Sequence, residues 1–302
     1  MLGNLSSIEN IKRLDSSSYD WVGHIPFAYY LTYWMKPKVI VELGCYKGNS
    51  LNAFSQSVLE HNLDTKIYGI DMWQGDLHMG EFPEDIFIEV EGFFCRNYPS
   101  IVTLKKMSFN DAVNDFEDES IDLLHIDGLH TYEAVREDFE TWLPKMSDHG
   151  VVLFHDTLVE KENFGVNKFW SEVSTQYPSY NFSFCHGLGV LLVGKQIPTK
   201  VEEVIEFAQL NSHFFESVFL SLCESSLSKN AFDFIIKLKL NSDEDESITP
   251  ELIDAIRDGA LSIENHDLNK AYLLMKYANA LRPTGPFIKQ KLLEYETKLT
   301  LK

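Results

Sequence analysis

One short stretch limits what this chain can fold into more than any other: Val39-Ile40-Val41-Glu42-Leu43-Gly44-Cys45-Tyr46-Lys47-Gly48-Asn49-Ser50. A β-branched run ends in an acid, two spaced glycines follow, and a helical pattern begins. A buried strand that empties through a glycine turn into a helix N-terminus makes a nucleotide-type pocket. The glycines let backbone approach a ligand without a Cβ clash. The spacing is E-x-G-x-x-x-G, so the dinucleotide pattern G-x-G-x-x-G is absent. An acid at the strand end suits a cationic or hydroxyl-bearing ligand better than a pyrophosphate.

The following residues keep one rhythm as far as about 195. Apolar runs at 39–43, 66–71, 101–107, 120–127 and 150–156 alternate with helical stretches at 49–61, 84–98, 131–143 and 163–176. Each run is nearly continuous in apolar residues, as strands covered on both faces are. The alternation predicts a Rossmann-like α/β fold with a mostly parallel, open, seven-stranded sheet. Residues 180–194 read as two strands joined at His186-Gly187, an antiparallel hairpin at the sheet edge. Residues 1–198 are therefore expected to form one domain and 199–302 a C-terminal α-helical region. That region holds amphipathic stretches at 201–227 and 268–299, with an acidic break, NSDEDES, at 241–247 read as a linker. Residues 272–281, followed by Pro283, resemble a single helical-repeat unit, which cannot bury its own face. These helices are expected to pack on the main domain or to serve as a homo-oligomer or docking surface.

Charge and cysteine usage narrow the class. A formal net charge of −20 leaves no basic patch for phosphate neutralisation, so no nucleic-acid partner is expected. No run of apolar residues is long enough for a transmembrane helix, and the first twenty residues lack a signal-peptide core. The four cysteines, Cys45, Cys95, Cys185 and Cys223, form neither C-x-x-C pairs nor a zinc spacing. A reduced, cytoplasmic protein is expected.

Candidate chemistry gathers at the strand ends. Asp71 closes the second strand, where a carboxylate can take the two hydroxyls of a ribose; a surface or capping acid is the plainer alternative. Gln74 to Gly80 is a polar loop leaving the sheet at its carboxyl edge, with Asp76 and His78 as possible base or substrate contact. Ser108-Phe109 follows the third strand and can border a purine, while Asp111 caps or solvates the next helix. His125-Ile126-Asp127-Gly128-Leu129-His130 and Phe154-His155-Asp156 stand at two further strand ends. Crowded carboxylates repel unless a cation or protons intervene. Oxygen ligands with an imidazole suit Mg²⁺, Mn²⁺ or another divalent ion, so Asp127, His155 and Asp156 are candidate metal ligands.

The segments ELGCYKGNS, GIDMWQGDLHMG, SIDLLHIDGLHTYEAV, GVVLFHD, FGVNKFW and GLGVLLVG resemble a class I S-adenosylmethionine-dependent methyltransferase. Within that class they are similar to the metal-dependent branch with macrocin-type sugar O-methyltransferases and cephalosporin-hydroxylase-like proteins. The resemblance covers about 36–195 and implies transfer of a methyl group from S-adenosylmethionine to a hydroxyl of a sugar, sugar nucleotide or surface glycan. It implies that Glu42, Gly44, Gly48 and Ser50 hold the methionine end and ribose. Asp71 and Met72 would sit at the ribose, and Ser108, Phe109 and Asp127 would border the adenosine. Asp127 and Asp156 match the family's metal positions, whereas His155 stands where the related sugar enzymes carry an acid. His130 or His78 would be the catalytic base beside Asp127, His130 being preferred because it follows Asp127 at the same strand edge. The alternatives are a small-molecule natural-product methyltransferase, a nucleotide-dependent oxidoreductase and a non-catalytic binding module.

Overall fold

A computed structural model describes residues 21–83, 85–216, 218–220, 222, 250–264, 268–282 and 285–300. The chain divides into two compact units, the first reaching Phe219 and the second beginning at Leu220.

The first unit opens with helix α1 (Ile25–Met35), in which every residue but Tyr33 is buried. Being apolar all round, α1 shows no amphipathic period, and for that reason the sequence did not reveal it. Pro26 fits its first turn, where no backbone N–H is needed. Then come β1 (Val39–Leu43), α2 (Asn49–Glu60), β2 (Lys66–Asp71), the two-residue strands β3 (Gly75–Asp76) and β4 (Gly80–Glu81), and α3 (Ile86–Asn97). The alternation continues through β5 (Val102–Lys106), α4 (Phe109–Ala112), β6 (Ile121–Ile126), α5 (Tyr132–Trp142), β7 (Met146–His155) and α6 (Val166–Val173). Strands β8 (Ser179–Phe182) and β9 (Leu188–Leu192) and helix α7 (Thr199–Leu210) complete the described core of the unit.

The expected Rossmann-like sheet is present. Seven strands run in the order β5-β2-β1-β6-β7-β9-β8, and β9 pairs antiparallel to both β7 and β8. The chain winds outward from β1 through β2 to β5, then crosses back to β6 on the other side of β1. This reversal opens a crevice beyond the carboxyl ends of β1 and β6, the position where such sheets bind ligands. All six residues of β6 are buried, consistent with cover on both faces. On one face Val41, Leu124, Val152 and Phe154 pack with Phe139 and Trp142 of α5 and Phe169 and Trp170 of α6. Helices α1 and α2 lie together, tied by the Ser57 hydroxyl, which donates to the Tyr29 carbonyl at 2.8 Å.

Two boundaries differ from expectation. The hairpin turn spans residues 183–187, and Cys185, His186 and Gly187 take φ of 47°, 65° and 89° to make it. Helix α7 and the residues after it belong with the sheet, because Phe215 packs on Phe27, Tyr180 and Phe182 and Glu216 accepts from Tyr180 Oη at 3.1 Å. The division between units thus falls at 219 rather than 198.

The second unit contains α8 (Pro250–Ile263), α9 (Leu268–Leu281) and α10 (Pro286–Thr300). They enclose a small core of Ile256, Ala260, Ala271, Leu274, Met275, Ala278 and Tyr295. The expected linker at 241–247 and the end of the stretch at 201–227 lie outside the described residues. Among the described residues no helix is long and apolar enough to cross a membrane.

Candidate functional site

The glycine turn is built against the neighbouring strand tip. Gly44 has φ of 87°, and a Cβ there would stand 2.0 Å from the Asp127 carbonyl oxygen. The Asp127 N–H donates to the Leu43 carbonyl at 2.8 Å, so the two strand ends are locked together. Gly48, with φ of 78°, is the N-cap of α2 and supplies no side-chain hydrogen bond to that helix's first N–H groups.

Asp71 organises this turn. Its Oδ2 accepts from the Cys45 and Tyr46 N–H groups at 2.9 Å each, and its Oδ1 accepts from the Trp73 N–H at 2.7 Å. Burial raises its carboxyl from the usual range, while those backbone amides pull it back down. Both acceptor sites of Oδ2 are taken by backbone amides, so the carboxylate shapes the cradle, and a ligand hydroxyl would have to meet it at Oδ1. Met72 beside it is 39 % exposed.

Glu42 lies beneath the turn, fully buried. The Ser50 hydroxyl donates to its Oε1 at 2.6 Å, and its Oε2 stands 3.7 Å from His125 Nδ1. Trp21 Nε1 donates to His125 Nε2 at 3.3 Å, which leaves the ring proton on the nitrogen facing Glu42. Burial raises the Glu42 carboxyl, against the pull of His125 and Ser50. Glu42 and Ser50 are therefore a buried, hydrogen-bonded pair beneath the turn.

The second cluster forms where β6 and β7 end side by side. His130 Nε2 is 2.8 Å from Asp156 Oδ2 and 3.8 Å from Asp127 Oδ1. His155 Nδ1 is 3.4 Å from Asp127 Oδ1 and 3.6 Å from Asp156 Oδ1. Its Nε2 lies 3.2 Å from the Cys185 carbonyl, which also faces His24 Nε2 at 3.1 Å. Asp156 adopts φ of 60°, a strained value for a residue with a side chain. Burial opposes ionisation of Asp127, yet His155, His130 and His125 overcome it and hold the carboxyl well below its usual range. Burial opposes the charged form of His130 too, but Asp127 and Asp156 raise its pKa to about 9. Asp127, His130 and Asp156 each offer a ligand atom within 4.8 Å of the others, a set that fits a divalent cation.

The loop after β2 folds over this cluster. Asp76 is spent on its own turn, its Oδ1 accepting from the His78 and Met79 N–H groups at 2.6 and 2.8 Å. The His78 ring packs on Phe164 at 4.4 Å and lies 5.5 Å from His130, while His130 stacks on Phe164 at 4.8 Å. Both ring nitrogens of His78 are buried without a hydrogen-bond partner.

Ser108 caps α4, accepting from the Asp111 N–H at 3.1 Å, and its hydroxyl donates to Asp111 Oδ2 at 2.6 Å. Phe109 lies against Gly128, where an added Cβ would come 2.5 Å from its Cε2. The structure thus brings Glu42, Gly44, Gly48, Ser50, Asp71 and Asp127 to one crevice, with Phe109 beside Gly128 at its β6 side. It brings His78, Asp127, His130, His155 and Asp156 to the adjoining cluster. Trp21, His24, Phe164 and the Cys185 carbonyl also belong to this neighbourhood. Phe164 opens the FGVNKFW segment, whereas Trp21, His24 and Cys185 were not marked as site residues, because their contacts are with residues far along the chain.

Residues 41–157 match the family described as "Methyltransferase domain". The protein y4gI of Sinorhizobium fredii, described as uncharacterized, is 44 % identical over 177 residues, which is 59 % of this chain and 19 % of that protein. The chain thus spans about a fifth of the length of the curated relative it matches. Among solved structures, S-adenosylhomocysteine-bound methyltransferase PaMTH1 of Podospora anserina is 14 % identical at a TM-score of 0.46, covering 64 % of this chain and 88 % of that one. O-methyltransferase TomG of Streptomyces achromogenes, in complex with S-adenosylmethionine, is 13 % identical at a TM-score of 0.45, covering 64 % of this chain and all of that one.

Proposed function

We propose that this chain, whose residues 41–157 match the family described as "Methyltransferase domain", is an S-adenosylmethionine-dependent, divalent-metal-dependent O-methyltransferase acting on a hydroxyl of a sugar or surface glycan. The observation that carries this reading is the position of Asp127. Its backbone closes the glycine cradle at Gly44, and its carboxylate belongs to the His and Asp cluster. A methyl donor in the cradle and an acceptor at the cluster would therefore be neighbours.

An alcohol is a poor nucleophile because its pKa lies far above neutrality. Asp127 and Asp156 would hold a divalent cation, which would supply positive charge that lowers such a pKa and offsets charge on the acceptor oxygen. The protein's own groups do the rest. Asp71 fixes the turn that receives the adenosine and takes ribose hydroxyls. Glu42, buried and bonded to Ser50, holds the negative floor beneath the methionine end of a sulfonium donor. His78 is the proposed base, since its ring nitrogens have no partner, whereas His130 is already engaged by Asp156 at 2.8 Å. Transfer would form the acceptor O–C bond as the methyl carbon's bond to sulfur breaks, and His78 would take the hydroxyl proton. Orientation and charge placement supply most of the rate.

A second reading keeps the reaction and changes the acceptor. Leu77 is 76 % exposed and Met79 50 %, and they flank His78 in its loop. An apolar rim there favours a small natural product with a hydrophobic body. The test is transfer of labelled methyl from S-adenosylmethionine to a panel of glycans, sugar nucleotides and hydroxylated aromatic natural products, with and without chelator. Asp127→Ala and Asp156→Ala should abolish transfer while S-adenosylhomocysteine still binds. Full activity of both variants in chelator would remove the metal from the reading. Failure of the wild type to bind S-adenosylhomocysteine would remove the whole of it.

A further inference from the structure

Asp138 is an acid buried beside the glycine cradle and used by none of the chemistry above. It shares the inward face of α5 with Val135, Phe139 and Trp142 and is 8 % exposed. Among the described residues its carboxyl takes part in no hydrogen bond or ion pair; burial and the charge of Glu137 are what act on it. Buried acids are otherwise paired or hydrogen-bonded, so an unsatisfied one needs a reason to be kept.

We infer that Asp138 is the residue that selects adenine in the donor pocket: its carboxyl pairs with the 6-amino group of the base and with the ring nitrogen next to it. The inference rests on the S-adenosylmethionine-dependent reading above and adds the group that recognises the base.

Placement is the first support. A Cβ on Gly128 would stand 3.3 Å from Asp138 Oδ2 and 2.5 Å from Phe109 Cε2, so the carboxyl and the ring meet at Gly128. A Cβ on Gly44 would in turn stand 3.0 Å from the Gly128 nitrogen. The Gly128 peptide, bare of a side chain, thus borders the cradle on one side and the carboxyl on the other. Helix α4 carries Phe109 to this point, and Asn110 Nδ2 donates to Glu137 Oε1 at 2.9 Å, which pins α4 to α5. The half-buried Phe109 ring offers a face on which a purine can stack.

Hydrogen-bond chemistry is the second support. Burial first, and Glu137 second, raise the carboxyl to about 7, so below that pH it carries a proton. A protonated carboxyl offers an O–H donor beside a carbonyl acceptor. Adenine presents the complementary pair, an amino donor beside a ring-nitrogen acceptor, which is why the amides of asparagine and glutamine bind it through two bonds. The unsatisfied carboxyl penalises the empty protein, and a base that bonds to it offsets that penalty.

The experiment is calorimetric binding to the full chain of S-adenosylhomocysteine and of its 6-deamino analogue, which carries unsubstituted purine in place of adenine. The wild type should prefer the adenine ligand by about tenfold to a hundredfold. Asp138→Leu removes both bonding groups, and the preference should collapse to within about threefold. Asp138→Asn keeps one donor and one acceptor and should retain the preference, which a merely structural role would not require. In infrared difference spectra of the wild type at about pH 6, a protonated-carboxyl band, missing from Asp138→Asn, should shift when S-adenosylhomocysteine binds. An undiminished preference in Asp138→Leu, an equal loss in both variants, or a wild type that binds the two ligands equally would overturn the inference and leave the cofactor assignment standing. A wild type that binds neither would remove the cofactor assignment and this inference with it. Should Asp138→Leu fail to fold, the infrared spectra of wild type and Asp138→Asn decide, and the absence of a ligand-induced shift overturns the inference.

Discussion

Replacing Asp138 by asparagine should make the sheet unit more stable at neutral pH and flatten its pH dependence. Asp138 lies on α5 and is 8 % exposed, and its Oδ2 is 3.3 Å from where a Cβ on Gly128 would stand. Burial first, and the charge of Glu137 second, push its carboxyl from 3.8 up to about 7. The native state therefore keeps a proton that the unfolded chain releases near pH 4. Between about pH 4 and pH 7 the native state binds more protons, so this group's contribution to stability falls as pH rises. Above pH 7 both states are ionised and the loss is complete. A displacement of about three pKa units at about 1.4 kcal/mol per unit gives roughly 4 kcal/mol across the window, as a ceiling. Asparagine cannot ionise, so the variant should escape that loss. The assay is urea unfolding of wild type and Asp138→Asn at pH 5 and pH 8. Other groups titrating in the range are common to both proteins and cancel in the difference. In a thermal melt the gap at pH 8 should be on the order of 10 °C for a unit of this size. Parallel loss of stability in the two proteins from pH 5 to pH 8 would refute the reasoning.

Two further substitutions probe the cradle. Gly44→Ala places a Cβ 2.0 Å from the Asp127 carbonyl oxygen at φ of 87°, so β1 and β6 must part. Unfolding free energy should drop by about 2 to 4 kcal/mol, and S-adenosylhomocysteine affinity should fall with it; an unchanged affinity would mean the turn is not the cofactor cradle. Asp71→Asn leaves one acceptor oxygen for three backbone N–H groups, with an amide now facing at least one of them. The expected destabilisation is about 1 to 3 kcal/mol, read by denaturant unfolding, together with weaker nucleoside binding in calorimetry.

Much of the scaffold was legible because burial leaves a mark on composition. Strands β1 and β2 fall on the apolar runs read for them, since strands covered on both faces must be apolar throughout. The glycine pair announced a turn because Gly44 and Gly48 both take positive φ. Helix α1 stayed hidden for the opposite reason: buried on every side, it has no polar face to set a period. The β3–β4 ladder is too short to leave an alternating pattern. At the site, the sequence marked Asp127, His130, His155 and Asp156 as a reactive group, but it left His130 as a base. Only the fold brought its Nε2 to 2.8 Å from Asp156 while leaving His78 without a partner.

By itself the sequence determined which segments become strands, where the chain turns sharply, and which polar residues sit at strand tips. These follow from side-chain size, polarity and backbone freedom, which each residue carries wherever it lies. The tertiary structure decided which tips are neighbours. Strand β6 follows β1 by some eighty residues of chain yet pairs with it directly, and so Gly44 closes on Asp127. The distance between a carboxylate and an imidazole is set by strand order and register, and a contact between remote residues is a property of the packed sheet.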